Sequence, residues 1–288
     1  MQPHPFLKWA GGKSRIANAI AKVFPERFER YFEPFLGSGA VYFKIAPQHG
    51  FLNDLNPFLI GAYEAIKEFP EELMILLNHL EEVYNGLANL DEKNVFYYQI
   101  RDDYNGIPEP NLRKSANFIF LNKAGWNGMY RENADGDFNI PFGRHERIKL
   151  YDYDNIMTIS RNIQDMHFTS GDYKESLKNA KSGDLIYLDP PYFPTSKTAS
   201  FTAYQKEGFG DREQEELFKV AEELSSKGCY IVISNSDTEK SHKLYGANSD
   251  FHIRPMPIMR TIGSKISSRK VVNEILVTNF EVKCNDGS

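Results

Sequence analysis

Asp184-Leu185-Ile186-Tyr187-Leu188-Asp189-Pro190-Pro191-Tyr192 is the stretch from which the fold can be read. Leu185 to Leu188 has the length and apolarity of a buried strand. Pro190 and Pro191 cannot continue a sheet ladder, because neither donates a backbone hydrogen bond. The chain must therefore leave the sheet at Asp189. Fixed proline φ angles hold the carboxylate, the following carbonyls and the Tyr192 ring in one rigid arrangement at the carboxyl end of a strand, the edge where open α/β sheets bind ligands. Asp-Pro pairs also end strands and start turns with no further role, so the tetrapeptide alone leaves both readings open.

Upstream, Tyr31-Phe32-Glu33-Pro34-Phe35 reads as a short strand, followed by the turn Leu36-Gly37-Ser38-Gly39 and a helix starting at Ala40. Phe51-Leu52-Asn53-Asp54 reads as the next strand, ending in an acid. This order is the nucleotide-binding half of a doubly wound α/β fold. Glycines let the backbone approach a ligand, and Asp54 is placed to accept hydrogen bonds from ribose hydroxyls. Tyr42 stands where the dinucleotide fingerprint needs Gly or Ala, which disfavours nicotinamide or flavin. Gly12-Lys13-Ser14 resembles the end of a P-loop, but Leu7 occupies the position of its first glycine, so the ATPase reading is rejected. Met166-His167-Phe168-Thr169 is strand-like and leads into Gly171-Asp172-Tyr173, where Asp172 either approaches a ligand or caps a helix starting at Tyr173.

From Asn56 to Leu150 the alternation of strand and helix stops. Pro57 to Tyr84, Asp91 to Tyr104 and Leu112 to Asn122 show helix-like apolar spacing, so a mainly helical insertion is expected. Leu121 to Arg131 and Asp135 to Arg144 look like two arms of a β-hairpin, with turn residues from Asn133 to Gly136. Trp126, Met129 and Arg131 on such a ribbon suit DNA, because a two-stranded ribbon fits the major groove and an apolar side chain can wedge between bases. Residue physics alone favours Trp126 packed on the helices instead.

At 288 residues, 41% hydrophobic and 25% charged, the chain can bury a full core as one large domain or two. No apolar stretch is long enough to span a bilayer and Met1 to Trp9 lacks signal-peptide shape, so a cytoplasmic enzyme is expected. Cys229 lies in an apolar run and Cys284 in a polar tail, which indicates neither a disulfide framework nor a zinc site. The net charge of −5 argues against a nucleic-acid partner, but its distribution argues for one. Arg254, Arg260, Lys265, Arg269 and Lys270 follow one another without an intervening acid, while Glu64 to Glu82 and Glu207 to Glu223 are rich in Glu. Segregated charge can make a basic face on an acidic protein; a solvated loop is the equal alternative.

The Asp-Pro-Pro-Tyr loop resembles that of the amino-methyltransferases, which methylate exocyclic amines of nucleic-acid bases with S-adenosylmethionine. Asp in first place is the form shown by the N6-adenine enzymes. Lys8-Trp9-Ala10-Gly11-Gly12-Lys13, Phe35-x-Gly37-x-Gly39 and Asp189-Pro190-Pro191-Tyr192 stand in the order of the Dam-type, class D12 N6-adenine DNA methyltransferases, and the likeness runs from about Phe6 to Phe280. The resemblance implies a Rossmann-like S-adenosylmethionine-dependent methyltransferase fold with a doubly wound mixed sheet. Residues 1–55 and 151–288 would form the catalytic domain, and 56–150 a mainly helical target-recognition insertion with a β-hairpin at about 124–144. It assigns Trp9, Lys13, Phe35, Gly37, Gly39, Asp54, Asp172 and Asp189 to the cofactor, and Asp189, Pro190 and Tyr192 to catalysis, with no metal.

It further implies a double-stranded DNA substrate. Trp126 would enter the base stack, with Met129 as an apolar neighbour, and Asn127 would touch phosphate. Arg131 and Lys8 would read guanines of GATC, and Arg144 would also face DNA. Ser200 to Tyr204 and Gly208-Phe209 resemble the segment that closes over the target base; Arg260 and Arg269 are assigned a phosphate role, with a plain C-terminal sheet strand and flanking charges as the equal alternative. A monomer is expected, with a cognate restriction endonuclease as a possible partner. The alternatives are an amino-methyltransferase acting on RNA or protein, a longer GAT-containing site, and a DNA-binding regulator without catalysis.

Overall fold

The computed structural model describes residues 2–193, 209–259 and 271–282. Seven strands are seen: β1 (Tyr31–Glu33), β2 (Gly50–Asp54), β3 (Met166–Ser170), β4 (Leu185–Leu188), β5 (Tyr230–Ser236), β6 (His252–Met259) and β7 (Val271–Thr278). They form one sheet in the order β3-β2-β1-β4-β5-β7-β6. β1 runs parallel to β2 and β4, β4 runs parallel to β5, and β7 is antiparallel to both β5 and β6. The sheet is thus doubly wound and mixed, as expected. Strand order reverses between β1 and β4, and the carboxyl ends of such neighbours are where doubly wound sheets receive ligands.

The chain divides into two compact units. One takes in Asn18–Phe35, His49–Leu52 and the chain from Tyr173 onward. Its core follows from strand periodicity: Ile186 and Leu188, Ile231 and Ile233, and Ile275 and Val277 are buried alternate residues of β4, β5 and β7. Against them packs the helix Asp211–Ser226, through Leu217, Phe218, Ala221 and Leu224. All of β4 is buried, which explains its unbroken apolar run.

The other unit comprises the chain up to Ala17, Leu36–Gln48 and Asn53–Asp172. It is mainly helical: α1 (Pro57–Glu68), α2 (Pro70–Gly86), α3 (Leu90–Gly106), α4 (Leu112–Ala124) and α5 (Tyr153–Asn162). The apolar spacing over Pro57–Tyr84 reads as a single helical stretch, but two helices occupy it. Pro70 offers no amide proton and crowds the residue before it, so Phe69 leaves the helix and Pro70 opens the next. Asn56, Asn89, Asn111 and Asp152 cap α1, α3, α4 and α5, each accepting from backbone N–H groups of its first turn. α4 is buried from Lys114 to Asn122, the pattern of a central helix.

The expected β-hairpin at 124–144 is an irregular antiparallel ribbon rather than a regular one. Isolated bridges pair Gly125 with Phe142 and Glu132 with Phe138, and Asn139 N–H donates to Arg131 C=O at 3.0 Å. The first arm leaves the ladder in a 3-10 turn over Trp126–Gly128, where Asn127 and Gly128 have φ of 55° and 65°. Asn133 supplies the reversal, its Oδ1 accepting from the N–H groups of Asp135 and Asp137.

Candidate active site

In the strand-rich unit, Leu188 pairs with Ile233, so the next residues on these parallel strands, Asp189 and Ser234, stand side by side. Ser234 Oγ donates to Asp189 Oδ1 at 2.6 Å and lies 3.0 Å from the Tyr187 hydroxyl. The Tyr192 hydroxyl donates to Glu274 Oε2 at 2.9 Å, and Glu274 is buried in β7. Burial, reinforced by the charge on Asp189, pushes the Tyr187 and Tyr192 phenols far above their usual range, so both serve as neutral donors.

The two-proline turn itself is tied down. Gln214 Nε2 donates to Pro191 C=O at 2.6 Å, Phe193 N–H donates to Asn235 Oδ1 at 3.1 Å, and Ser236 Oγ donates to Phe193 C=O at 2.6 Å. Asn235 Nδ2 in turn donates to Gln214 Oε1 and the Tyr245 hydroxyl. Gln214, Asn235 and Ser236 are buried, and mutual satisfaction makes such a network rigid. Beyond β1, Phe35 packs against Tyr173 and Phe209, with ring centroids 5.3 and 6.0 Å away.

In the helical unit, the glycine turn and the acid at the end of β2 are bonded to each other. Gly37 N–H donates to Asp54 Oδ2 at 2.9 Å and Asn56 N–H to Asp54 Oδ1 at 3.0 Å. Burial raises the Asp54 carboxyl above its ordinary value against the pull of these donors. Gly37 has φ of 50°, and a Cβ there would stand 2.9 Å from Trp9 Cδ1, so the Trp9 ring lies on the turn. Trp9 also stacks on Tyr130 at 5.4 Å. Gly39 N–H bonds Leu36 C=O at 2.8 Å ahead of the helix Ala40–Ile45. Lys13 is buried, its Nζ donating to Gly11 C=O at 2.8 Å. The turn before Asp172 adjoins Asp54, since Gly171 N–H donates to Asp54 C=O at 3.1 Å; Asp172 is exposed. A fixed carboxylate, a side-chain-free turn and an indole face suit a nucleoside bearing ribose hydroxyls.

The ribbon presents its functional candidates outward. Trp126 is 51% and Met129 43% exposed, which decides against the packed-Trp reading. Asn127, Arg131, Arg144 and Lys8 are exposed as well. Arg131 Nε donates to Asn139 Oδ1 on the opposite arm at 2.6 Å, which ties its guanidinium across the ribbon. Burial, and after it the charge on Lys8, lowers the pKa of Lys123, so a second basic group lies near Lys8.

Ser200 to Tyr204, Gly208, Arg260, Lys265, Arg269, Lys270 and Cys284 lie outside the described residues. Cys229 is buried and its thiol pushed up to about 11 by burial, so it is not a nucleophile. Among the described residues no His, Cys, Asp and Glu group could hold a metal, and no helix is long and apolar enough to cross a membrane. Sequence reasoning passed over Ser234, Gln214, Glu274 and Tyr173. Only Ser234-Asn235-Ser236, a polar cluster ending an apolar strand, carried a visible signal.

The sequence pattern of the D12 class N6 adenine-specific DNA methyltransferases matches residues 9–262. The chain is 37% identical over 282 residues to the type II methyltransferase M1.LlaDCHI of Lactococcus lactis subsp. cremoris, covering 96% of this chain and 95% of that one. It is 34% identical over 293 residues to the type II methyltransferase M.MjaIII of Methanocaldococcus jannaschii, covering 97% and 100%. It is 32% identical over 271 residues to the DNA adenine methylase of Escherichia coli K12, covering 94% and 93%. Among solved structures, a precorrin 8w decarboxylase of Methanobacterium thermoautotrophicum has a TM-score of 0.40 at 11% identity, covering 96% of this chain and 98% of that one, too distant to bear on function.

Proposed function

Because the chain belongs to the D12 class of N6 adenine-specific DNA methyltransferases, we propose that it methylates N6 of an adenine flipped out of duplex DNA, within GATC. The observation that carries this reading is the Asp189 carboxylate held by Ser234 beside a Tyr192 ring anchored on Glu274. S-adenosylmethionine, the methyl donor of such enzymes, supplies an electrophilic sulfonium methyl.

Trp9, Lys13, Phe35, Gly37, Gly39, Asp54, Asp172 and Asp189 hold the donor in this reading, with Asp54 accepting hydrogen bonds from ribose hydroxyls. The amino nitrogen of adenine is a poor nucleophile because its lone pair is delocalised into the ring. Asp189 and the Pro190 carbonyl accept hydrogen bonds from its two amino hydrogens, which draws the nitrogen toward tetrahedral geometry and frees the lone pair; as the N–C bond forms the S–C bond of the donor breaks, and the surplus amino proton is released to solvent. Preorganised acceptors and positioning supply the catalysis. Flipping costs a few kcal/mol, and stacking on Tyr192, worth about 1 to 3 kcal/mol by analogy with single-strand binders, offsets much of it.

Residues 56–150 act as the target-recognition insertion: Trp126 with Met129 fills the gap in the stack, Asn127 and Arg144 meet the backbone, and Arg131 and Lys8 read guanine. The protein works as a monomer in a prokaryotic or phage-infected cytoplasm. Two relatives are named type II methyltransferases, which favours a cognate restriction endonuclease on the same site.

The test is transfer of labelled methyl to duplexes carrying GATC, GATC premethylated on both strands, or a scrambled site. Label appearing as N6-methyladenine only in unmethylated GATC is expected. Label in other GAT-containing duplexes would discard the site, and label in RNA or protein instead of DNA would discard the substrate. Asp189→Ala should abolish transfer with the circular dichroism spectrum intact; near-normal turnover would overturn the catalytic assignment.

A further inference from the structure

Two stretches assigned above to base reading, the N-terminal segment at Lys8 and the ribbon turn at Trp126–Gly128, are joined by one buried side chain. Asn122, 3% exposed near the end of α4, accepts from Lys8 N–H through Oδ1 at 3.0 Å. Its Nδ2 donates to Lys8 C=O at 2.8 Å and to Gly128 C=O at 3.0 Å. The two bonds to Lys8 are those a neighbouring strand would make, and the third holds the carbonyl of Gly128, the last residue of the turn. All three requirements, one acceptor and two donors in a plane, are met by a carboxamide and by no carboxylate or hydroxyl of similar size.

Gly128 completes the arrangement. Its φ is 65°, and a Cβ there would lie 2.5 Å from Lys8 Cδ and 2.9 Å from Lys8 Cβ, so the stem of Lys8 rests directly on the turn. The same turn carries Trp126, whose ring is half exposed, and leads by way of Met129 to Arg131. Backbone and stem of Lys8 therefore share one support with the ribbon.

We infer that Asn122 is a specificity-positioning residue, fixing the register of Lys8 against the Trp126–Arg131 segment so that the two guanines are read at one set spacing. This rests on the reading of Lys8 and Arg131 as base contacts. A buried amide that merely satisfied backbone groups would affect folding, not discrimination.

The experiment compares methyl transfer by the full-length protein on GATC and on duplexes with a single changed base pair at either guanine. The proteins are the parent, Asn122→Asp, Gly128→Ala, Lys8→Ala and Arg131→Ala. Asn122→Asp keeps the size and the acceptor but removes both donations; Gly128→Ala lifts Lys8 from the turn. Each is expected to lower discrimination at the Lys8 guanine at least tenfold, with the dissociation constant for S-adenosylmethionine unchanged within twofold. The Asn122→Asp/Lys8→Ala double variant should discriminate no worse than Lys8→Ala alone, because the effect passes through Lys8. If Asn122→Asp does not fold, Gly128→Ala decides. Discrimination kept within twofold in both variants, while Lys8→Ala and Arg131→Ala lose it, would overturn this inference alone. Discrimination kept in all four would overturn the base-reading assignment itself.

Discussion

Asp189 and Asp54 are both acids at strand ends, yet their surroundings give them different tasks. At Asp189 a hydroxyl from the next strand fixes the carboxylate. A hydrogen bond to a charged group is worth about 1.5 to 3 kcal/mol, so Ser234→Ala should lower kcat by about ten- to a hundredfold with little change in KM for the donor. Ser234→Thr, which keeps the hydroxyl, should recover part of the loss; equal kcat in parent and Ser234→Ala would show that the bond positions nothing. Asp54 is held by backbone donors, and burial still raises its carboxyl pKa above the ordinary value. The folded state therefore binds this proton more readily than the unfolded chain. Its contribution to stability is present at low pH and is lost as pH rises from about 4 through the folded value. If Asp54 accepts hydrogen bonds from the donor's ribose hydroxyls, donor binding runs the opposite way, since the ionised form is the stronger acceptor. Titration calorimetry should show affinity falling as pH drops through that raised pKa, and Asp54→Asn should lose the slope. Both acids were legible because each ends an apolar run. Ser234 and Glu274 were not, because their partners lie 45 and 82 residues away in the chain and only the sheet brings them together.

Among the elements, the ones that sequence pattern revealed best are those that punctuation delimits. β4 ends at two prolines, and α1, α3 and α4 open on Asn; the break at Pro70 between α1 and α2 and the helix α5 behind Asp152 were not read from the sequence. The ribbon was less legible: its turn residues were visible, but the 3-10 excursion at Trp126–Gly128 has Asn127 and Gly128 at positive φ and Lys8 packed on Gly128, a contact no local pattern encodes. Trp126 illustrates the limit of residue statistics. Burial is the usual fate of Trp, and here the excursion turns it outward. If Arg131 on this ribbon makes a bidentate base contact, Arg131→Ala should cost about 1 to 3 kcal/mol of discrimination at one guanine, read as the ratio of kcat/KM on matched and altered duplexes; an unchanged ratio would remove the ribbon from base reading. The glycine turn after β1 is constrained in the other direction. Gly37→Ala combines a left-handed φ with a methyl group pressed on Trp9, so donor affinity should fall at least about tenfold, roughly 1.4 kcal/mol, with DNA affinity retained. Donor binding at parental strength would show that the Trp9 and Gly37 contact is incidental to it.

For the whole molecule, net charge and task pull against each other. A protein of charge −5 that binds a polyanion must do so through local basic groups. In the helical unit Lys8, Arg131 and Arg144 are exposed on or beside the ribbon, and Lys123, its pKa lowered by burial and then by the charge on Lys8, stands near Lys8. The doubly wound character was legible from strand, glycine turn and strand-ending acid. The complete sheet order was not, because more than a hundred residues separate β2 from β3 and nothing local marks β7 as antiparallel. Charge patterning is similarly indirect: it locates cations along the chain but not the number that meet phosphate. Counterion release counts them. The logarithm of the duplex association constant should fall linearly with the logarithm of salt concentration, with a slope of about −0.9 per phosphate neutralised. Arg144→Ala should reduce the steepness by about one unit and weaken GATC and scrambled duplexes alike, as expected of a backbone contact. Arg131→Ala should instead weaken GATC more than the scrambled duplex. A slope near zero in the parent, or a loss of site preference in Arg144→Ala equal to that in Arg131→Ala, would show that charge and base reading are divided otherwise.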